Sequence, residues 1–337
     1  MIQRLKEITG TFNGCRILVI GDLILDTYIH GETVRVSREA PVLVVRKEST
    51  SHRLGGAANT AVNLLALGAN VEVISVVGQD VGGDVIRKTL DDLGAMVTGI
   101  FSGDGKTAVK TRIMAGAVGT SRQQVLRLDD EATDIEDAMI ADMVTRMKAR
   151  AEHADAIIVS DYGLGIVCEP VIEAAQDLAR EGHVVCVDSR YNLSRFTGVT
   201  AVTPNVPEAE AALGYAIDSQ KDAATAACEL REKLSAKVVL LTQGRNGMTL
   251  SVGDDELEHT DIVGGDEVTD VTGAGDTVMA TFALSLAAGL PTGHAMRLAN
   301  CAASVVVNKQ GAATCTQQEL ENAAICENVE LRVWDSK

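Results

Sequence analysis

Apolar residues in this chain come in short runs separated by amphipathic stretches. Arg16-Ile17-Leu18-Val19-Ile20-Gly21-Asp22 is a nearly continuous apolar run closed by a carboxylate, the pattern of a strand buried on both faces. Val71 to Gly78, Ala156 to Asp161, Val184 to Asp188, Thr200 to Thr203 and Val238 to Thr242 read the same way. Between them lie helical stretches: Leu54 to Gly68, which opens on two glycines; Asp84 to Leu93; and Val278 to Ala288, stopped by Gly289 and Pro291. Strands and helices in alternation predict an α/β fold, a mainly parallel sheet with helices on both faces.

Two stretches depart from that alternation. Val34 to Arg38 and Pro41 to Val45 are β-prone, proline-marked and flanked by charge, as edge strands of a small accessory sheet would be. Ala108 to Met114 alternates like a strand and puts Lys110 and Arg112 on one face. The expectation is one core domain over residues 1–337 with a small β lid, built from insertions near residues 28–53 and 100–128. No linker, internal repeat or low-complexity tract divides the chain.

Composition narrows the class of partner. Of 337 residues, 46% are hydrophobic but only 3% aromatic, so the core is aliphatic. A formal charge of -17 argues against a nucleic-acid or anionic-membrane surface and for small metabolites. Seven cysteines without any CxxC pair fit a reducing cytoplasm. The N-terminus lacks a signal-like apolar region and no apolar stretch is long enough to span a bilayer, so neither secretion nor membrane insertion is expected.

The most informative stretch is Asp270-Val271-Thr272-Gly273-Ala274-Gly275-Asp276-Thr277, a glycine loop at a helix start. Unpaired N–H groups and the positive end of the helix dipole attract anions there. Asp276 then has two readings: a first-turn acid complementing the dipole, or a general base beside a phosphoryl group. Asn205-Val206-Pro207-Glu208 is likewise either a capping box or an amide and carboxylate placed to hold hydrated Mg²⁺. Lys110 and Arg112 are either a solvated strand face or a clamp for a substrate phosphate. Gly105-Lys106-Thr107 is not a P-loop, because Ile100 stands where its first glycine is needed and a strand follows. A dinucleotide fold is disfavoured too, since the first strand runs into Gly21-Asp22-Leu23-Ile24 and not GxGxxG.

Taken in order, these motifs resemble the ribokinase-like, or PfkB-type, sugar kinase family over nearly the whole chain. Leu54-Gly55-Gly56-Ala57-Ala58-Asn59 resembles its N-terminal signature, Asn205-x-x-Glu208 its magnesium-associated motif, and Asp270 to Asp276 its anion-hole signature. Within the family, Arg38-Glu39-Ala40-Pro41-Val42, Ser160-Asp161-Tyr162-Gly163, Thr203-Pro204-Asn205, Gly247-Met248-Thr249-Leu250 and Ala299 to Gly311 resemble the kinase module of heptose-7-phosphate kinases of ADP-heptose synthesis. Leu164-Gly165 and Ser189-Arg190 depart from that group's Lys-Gly and Pro-Lys.

The resemblance implies a ribokinase-like three-layer α/β/α sandwich and an ATP- and Mg²⁺-dependent kinase for a sugar or sugar phosphate, D-glycero-D-manno-heptose 7-phosphate first among them. Asp276 is then the base, and the amides of Gly273, Ala274 and Gly275 stabilise the transferring phosphoryl. Asp22, Gly55, Gly56 and Asn59 hold sugar hydroxyls, with Lys110 and Arg112 anchoring a distal phosphate. Mg²⁺ sits near Asn205 and Glu208, while Thr242, Gly244, Gly247 and Asn300 border the nucleotide. A homodimer through the lid is implied as well. The alternatives are a kinase of the same family for fructose phosphate, ribose or a nucleoside, and a catalytically silent sugar- or nucleotide-binding regulator. The nucleotidyltransferase module that follows many such kinases, marked by His-x-Gly-His, is not expected here, since His294 is the last histidine.

Overall fold

In the computed structural model, residues 2–117, 122–132, 135–253, 256–264 and 269–326 are described. In chain order the strands are β1 (Arg16–Gly21), β2 (Leu23–Val36), β3 (Leu43–Gly56), β4 (Asn70–Gly78), β5 (Met96–Gly103), β6 (Ala108–Gly116), β7 (Gln123–Asp130), β8 (Ala156–Asp161), β9 (Val185–Ser189), β10 (Ala201–Val202), β11 (Val238–Thr242), β12 (Met248–Val252) and β13 (Glu256–Thr260). The helices are α1 (Ile2–Gly10), α2 (Ala57–Ala66), α3 (Val81–Asp92), α4 (Asp137–Ala151), α5 (Glu169–Arg180), α6 (Val206–Leu213), α7 (Gln220–Leu234), α8 (Ala274–Ala287), α9 (Thr292–Val307) and α10 (Gln317–Cys326).

Nine strands form the main sheet in the order β13-β12-β11-β10-β9-β8-β1-β4-β5. Its pairs are parallel except β11 with β12 and β12 with β13. The aliphatic runs divide between two cores by strand periodicity. Ile17 and Val19 pack with α2, α8 and α9 on one face, while Leu18 and Ile20 pack with α4, α5 and α7 on the other. Helix α8 is apolar all round because α2 and α9 cover it as well as the sheet. The expected three layers are present.

The small sheet has the order β3-β2-β6-β7. Its strands differ from the sequence expectation in two ways. Residues 100–103 belong to β5 of the main sheet, so the second lid segment starts at Ala108 and ends at Asp130; residues 118–121 of the expected insertion lie outside the described ones. The first segment runs from Leu23 to Gly56; β3 is an edge strand, as expected, while β2 is an inner strand from Ile24 to Glu32, where β6 pairs with it in parallel. That register sets Asp26 beside Lys110 and Tyr28 beside Arg112. The Gly-Lys-Thr segment is structural: Thr107 Oγ1 donates to Asp80, the N-cap of α3.

Candidate active site

The α8 N-terminus faces an open cleft of about 710 Å³ between the main sheet's carboxyl ends and the lid, a size suited to small ligands. Gly273, the N-cap, is left-handed at φ 79°, and a Cβ there would come within 2.5 Å of Asn59 Nδ2. Only glycine meets both demands. Asp276, in the helix's first turn, is 3% exposed. Its Oδ2 accepts from Asn59 Nδ2 and its Oδ1 from the Tyr162 hydroxyl, each at 2.7 Å. Burial pushes its carboxyl up to about 6, against the pull of these two hydrogen bonds. Such a carboxylate is poised to take a proton near neutrality.

Of the three amides expected to face a phosphoryl group, that of Ala274 donates to the Val271 carbonyl at 3.2 Å. Those of Gly273 and Gly275 have no partner among the described residues, and both residues line the cleft. The anion hole is therefore narrower than the motif suggested. Ala274 serves to close the turn.

Two of the expected sugar-binding residues are turned away from the cleft. Asp22 is almost fully buried, and its carboxylate accepts from the backbone N–H groups of Tyr162, Leu164 and Ile166. It holds the loop after β8 and lines a smaller, separate cavity with Leu164 and Ile166. Burial nonetheless pushes it up to about 6. Asn59 spends its amide on Asp276 and the Gly273 carbonyl. It orients the carboxylate and is not a cleft residue. Gly55 and Gly56 do line the cleft, at the end of β3.

Four cations approach the cleft, from β6, β7 and the loop after β9, and the structure sorts them. Arg112 Nη1 lies 2.5 Å from Asp26 Oδ1, so this expected phosphate anchor is already neutralised. Arg127, opposite Arg112 on β7, pairs with Asp129 at 2.9 Å. The side chains of Lys110 and Arg190 form no ion pair or hydrogen bond among the described residues, although the Arg190 N–H donates to the Asp161 carbonyl at 3.1 Å. They flank one aromatic ring instead, with Arg190 Cζ 4.2 Å and Lys110 Nζ 5.6 Å from the Tyr162 centroid. Burial, and then Arg190, hold the Lys110 ammonium below its usual range. Carboxylates lie near both, Asp26 and Asp129 near Lys110 and Asp188, Glu208 and Asp276 near Arg190, but none pairs with either side chain, so two cations in the cleft keep their donors for an anion.

At the opposite wall the capping box at Asn205 is complete. Asn205 Oδ1 accepts from the Glu208 N–H, and Glu208 Oε2 from the Asn205 N–H, each at 2.9 Å. Both residues also line the cleft, so cap and ligand roles coexist. Loss of hydration raises the Glu208 carboxyl and, with Glu208 and Asp276 nearby, drives Asp188 well above the carboxylate range. No cluster of three metal-binding side chains occurs among the described residues. The oxygen-only donors Asn205 and Glu208 fit Mg²⁺ that keeps most of its waters and leans on phosphates, not a closed protein cage.

Of the expected nucleotide residues, Thr242 lines the cleft, while Gly244, Gly247 and Asn300 do not. A Cβ on Gly247 would come within 1.9 Å of the Thr260 carbonyl. Its glycine is required by the approach of β13. Asn300 donates to the Asp261 carbonyl at 2.6 Å and pins the same strand end. Tyr162, Asp188 and Arg190 went unassigned at the sequence level, although Tyr162 follows a buried strand ending at Asp161, where parallel sheets carry ligands.

The description "pfkB family carbohydrate kinase" matches residues 16–319. The bifunctional protein HldE of Mesorhizobium japonicum is 38% identical over 325 residues, covering 95% of this chain and 64% of that protein. HldE of Citrifermentans bemidjiense is 40% identical over 309 residues, 90% of this chain and 62% of that protein. The chain thus spans less than two thirds of the length of these relatives. Phosphofructokinase-2 from Escherichia coli, in a crystal structure with potassium, superposes with TM-score 0.80 at 18% identity over 94% of this chain and 99% of that one. Ribokinase of Arabidopsis thaliana, in a structure with ribose and ATP, gives 0.71 at 17% over 92% and 98%. At such identities these two show the fold alone, which is ribokinase-like. On the family match and the identity to its relatives, this chain belongs to the pfkB family of carbohydrate kinases and is a phosphotransferase acting on a sugar.

Proposed function

We propose that this kinase transfers the γ-phosphoryl of ATP to a hydroxyl of a sugar that already carries a phosphate, with D-glycero-D-manno-heptose 7-phosphate as its acceptor. The observation that carries the reading is the pair Lys110 and Arg190, two cations whose side chains make no ion pair or hydrogen bond among the described residues, in the cleft that Asp276 borders. A neutral acceptor offers their donors no charge; a phosphate monoester accepts charge-assisted hydrogen bonds from both. Kinship to HldE at 38% identity supports the heptose phosphate within that class.

In this reading Asp276 takes the acceptor hydroxyl's proton as its oxygen bonds to the γ-phosphorus and the bond to ADP breaks. The free amides of Gly273 and Gly275, with the dipole of α8, stabilise charge on the transferring oxygens. Asn205 and Glu208 would hold Mg²⁺, which when bound would supply neutralisation of the nucleotide's phosphates. Thr242 borders the nucleotide. The lid sheet excludes water, which competes as acceptor. Val36, Leu43, Val125, Leu126 and Leu128 stand exposed on it, which supports a homodimer formed through the lid. Seven cysteines without a CxxC pair, several of them buried in apolar surroundings, support a reducing, cytoplasmic setting.

A panel of acceptors tests the reading: heptose 7-phosphate, fructose 6-phosphate, ribose and a nucleoside, each with ATP and Mg²⁺. Heptose 7-phosphate is expected to give the highest kcat/KM. Preference for an unphosphorylated sugar overturns the anion-site reading while leaving the kinase in place.

A further inference from the structure

Asp276 has two hydrogen-bond donors, and they are not equivalent. Asn59 is buried behind the base and does not line the cleft, whereas Tyr162 does. The phenol and the carboxylate it donates to both line the cleft in which an acceptor hydroxyl would arrive. Tyr162 is held at three points: its backbone N–H donates to Asp22 at 2.7 Å, its hydroxyl to Asp276 at 2.7 Å, and its ring lies between Arg190 and Lys110. This arrangement gives Asp22 its purpose, because a carboxylate buried under the loop fixes the residue that fixes the base.

We propose that Tyr162 is a positioning residue of phosphoryl transfer: its phenol aims the Asp276 carboxylate and tunes its basicity, and the anion-binding cations Lys110 and Arg190 hold its ring in that pose. The inference rests on Asp276 being the base. A phenol donating to a carboxylate favours the charged form, so it opposes the burial that would otherwise keep Asp276 protonated. The other charged groups around the pair are Asp188 and Arg190 at the end of β9, Lys110 on β6 and Asp26 on β2. Arg190 acts in the same direction as the phenol, and Asp26 opposes it. Two lone pairs on each carboxylate oxygen leave room for the acceptor hydroxyl beside the phenol. The tyrosine therefore need not leave for chemistry to occur.

The test is Tyr162→Phe, which keeps the ring between its cations and removes only the hydroxyl. With the best acceptor of the panel, the acid limb of kcat/KM against pH should move up by about one unit, and kcat at neutral pH should fall about tenfold, with KM for ATP little changed. A structural role alone lowers thermal stability without moving the acid limb, and that result overturns the proposal. If the phenylalanine variant does not fold, 3-fluorotyrosine placed at position 162 serves instead; being a stronger donor, it should move the limb down, and an unmoved limb overturns the proposal equally. Asp276→Asn separates the two layers. Retained turnover in Asp276→Asn removes the base reading and this inference together, whereas lost turnover beside an unmoved limb in Tyr162→Phe removes only the role given to Tyr162.

Discussion

Arg112 and Asp26 form a buried ion pair across the parallel β2–β6 register, with side chains only 15% and 6% exposed. The guanidinium also lies over Tyr28, 5.4 Å from its centroid. Its charge is committed to the lid's own architecture before any ligand arrives.

Arg112→Ala is therefore expected to cost stability ahead of substrate affinity. Removing one member of a buried pair strands the other, at roughly 3–5 kcal/mol. Urea denaturation checks this. A wild-type midpoint together with a large rise in acceptor KM would return Arg112 to the role of phosphate anchor.

Arg190→Gln should do the reverse. It removes a cation whose side chain is in no ion pair among the described residues, so the fold should tolerate it, while KM for a phosphorylated acceptor rises about one to two decades, as loss of a charge-assisted contact of ~1.5–3 kcal/mol requires. KM for ATP should change much less. Steady-state kinetics with the phosphorylated and unphosphorylated forms of one sugar gives the comparison, and equal effects on both forms count against the anion site.

These two arginines show where the sequence was legible and where it was not. Period-2 alternation placed Lys110 and Arg112 on one strand face, but only the parallel pairing of β6 with β2, which sets Asp26 beside Lys110, brings it diagonally within reach of Arg112, and a pairing between strands more than 80 residues apart leaves no local signature. Arg190 and Tyr162 follow different strands and meet only because β8 and β9 are adjacent. The main strands were readable because each is an aliphatic run buried on two faces. The lid was readable only in part, since β2 and β3 expose much of their length and mix polar with apolar residues. The capping box and the α8 loop were visible because their chemistry is local.

The carboxyl of Asp276 sets the pH dependence of turnover. With its folded value near 6 against an ordinary 3.8, the base loses activity as pH falls through about 6. The sign for stability is opposite to that of a salt-bridged acid. A raised folded value means the native state binds the proton more tightly than the unfolded chain, so the contribution is full below about 4 and is lost as pH rises through 6. Asp276→Asn should lower kcat by ~10²–10⁴ and leave ATP affinity nearly intact. Its stability, measured by denaturation from pH 4 to 7, should lack the decline attributable to this carboxyl. A wild-type rate in the variant removes Asp276 from the mechanism.

At Glu208 the cap and the metal role are both geometrically open, and charge separates them. Glu208→Gln retains an acceptor for the Asn205 N–H, so the capping box at α6 persists and thermal stability should stay within about 0.5 kcal/mol of the parent. Removing the charge withdraws a carboxylate that lines the cleft and stands beside Asn205 at the α6 start. Because hydrated Mg²⁺ is held largely by such charge, the Mg²⁺ concentration for half-maximal rate should rise severalfold, with the rate at saturating Mg²⁺ recovering most of its value. Titration of turnover with Mg²⁺ at fixed ATP measures both quantities. An unchanged Mg²⁺ requirement in a stably folded variant would assign Glu208 to the cap alone and leave the ion to the nucleotide's own phosphates.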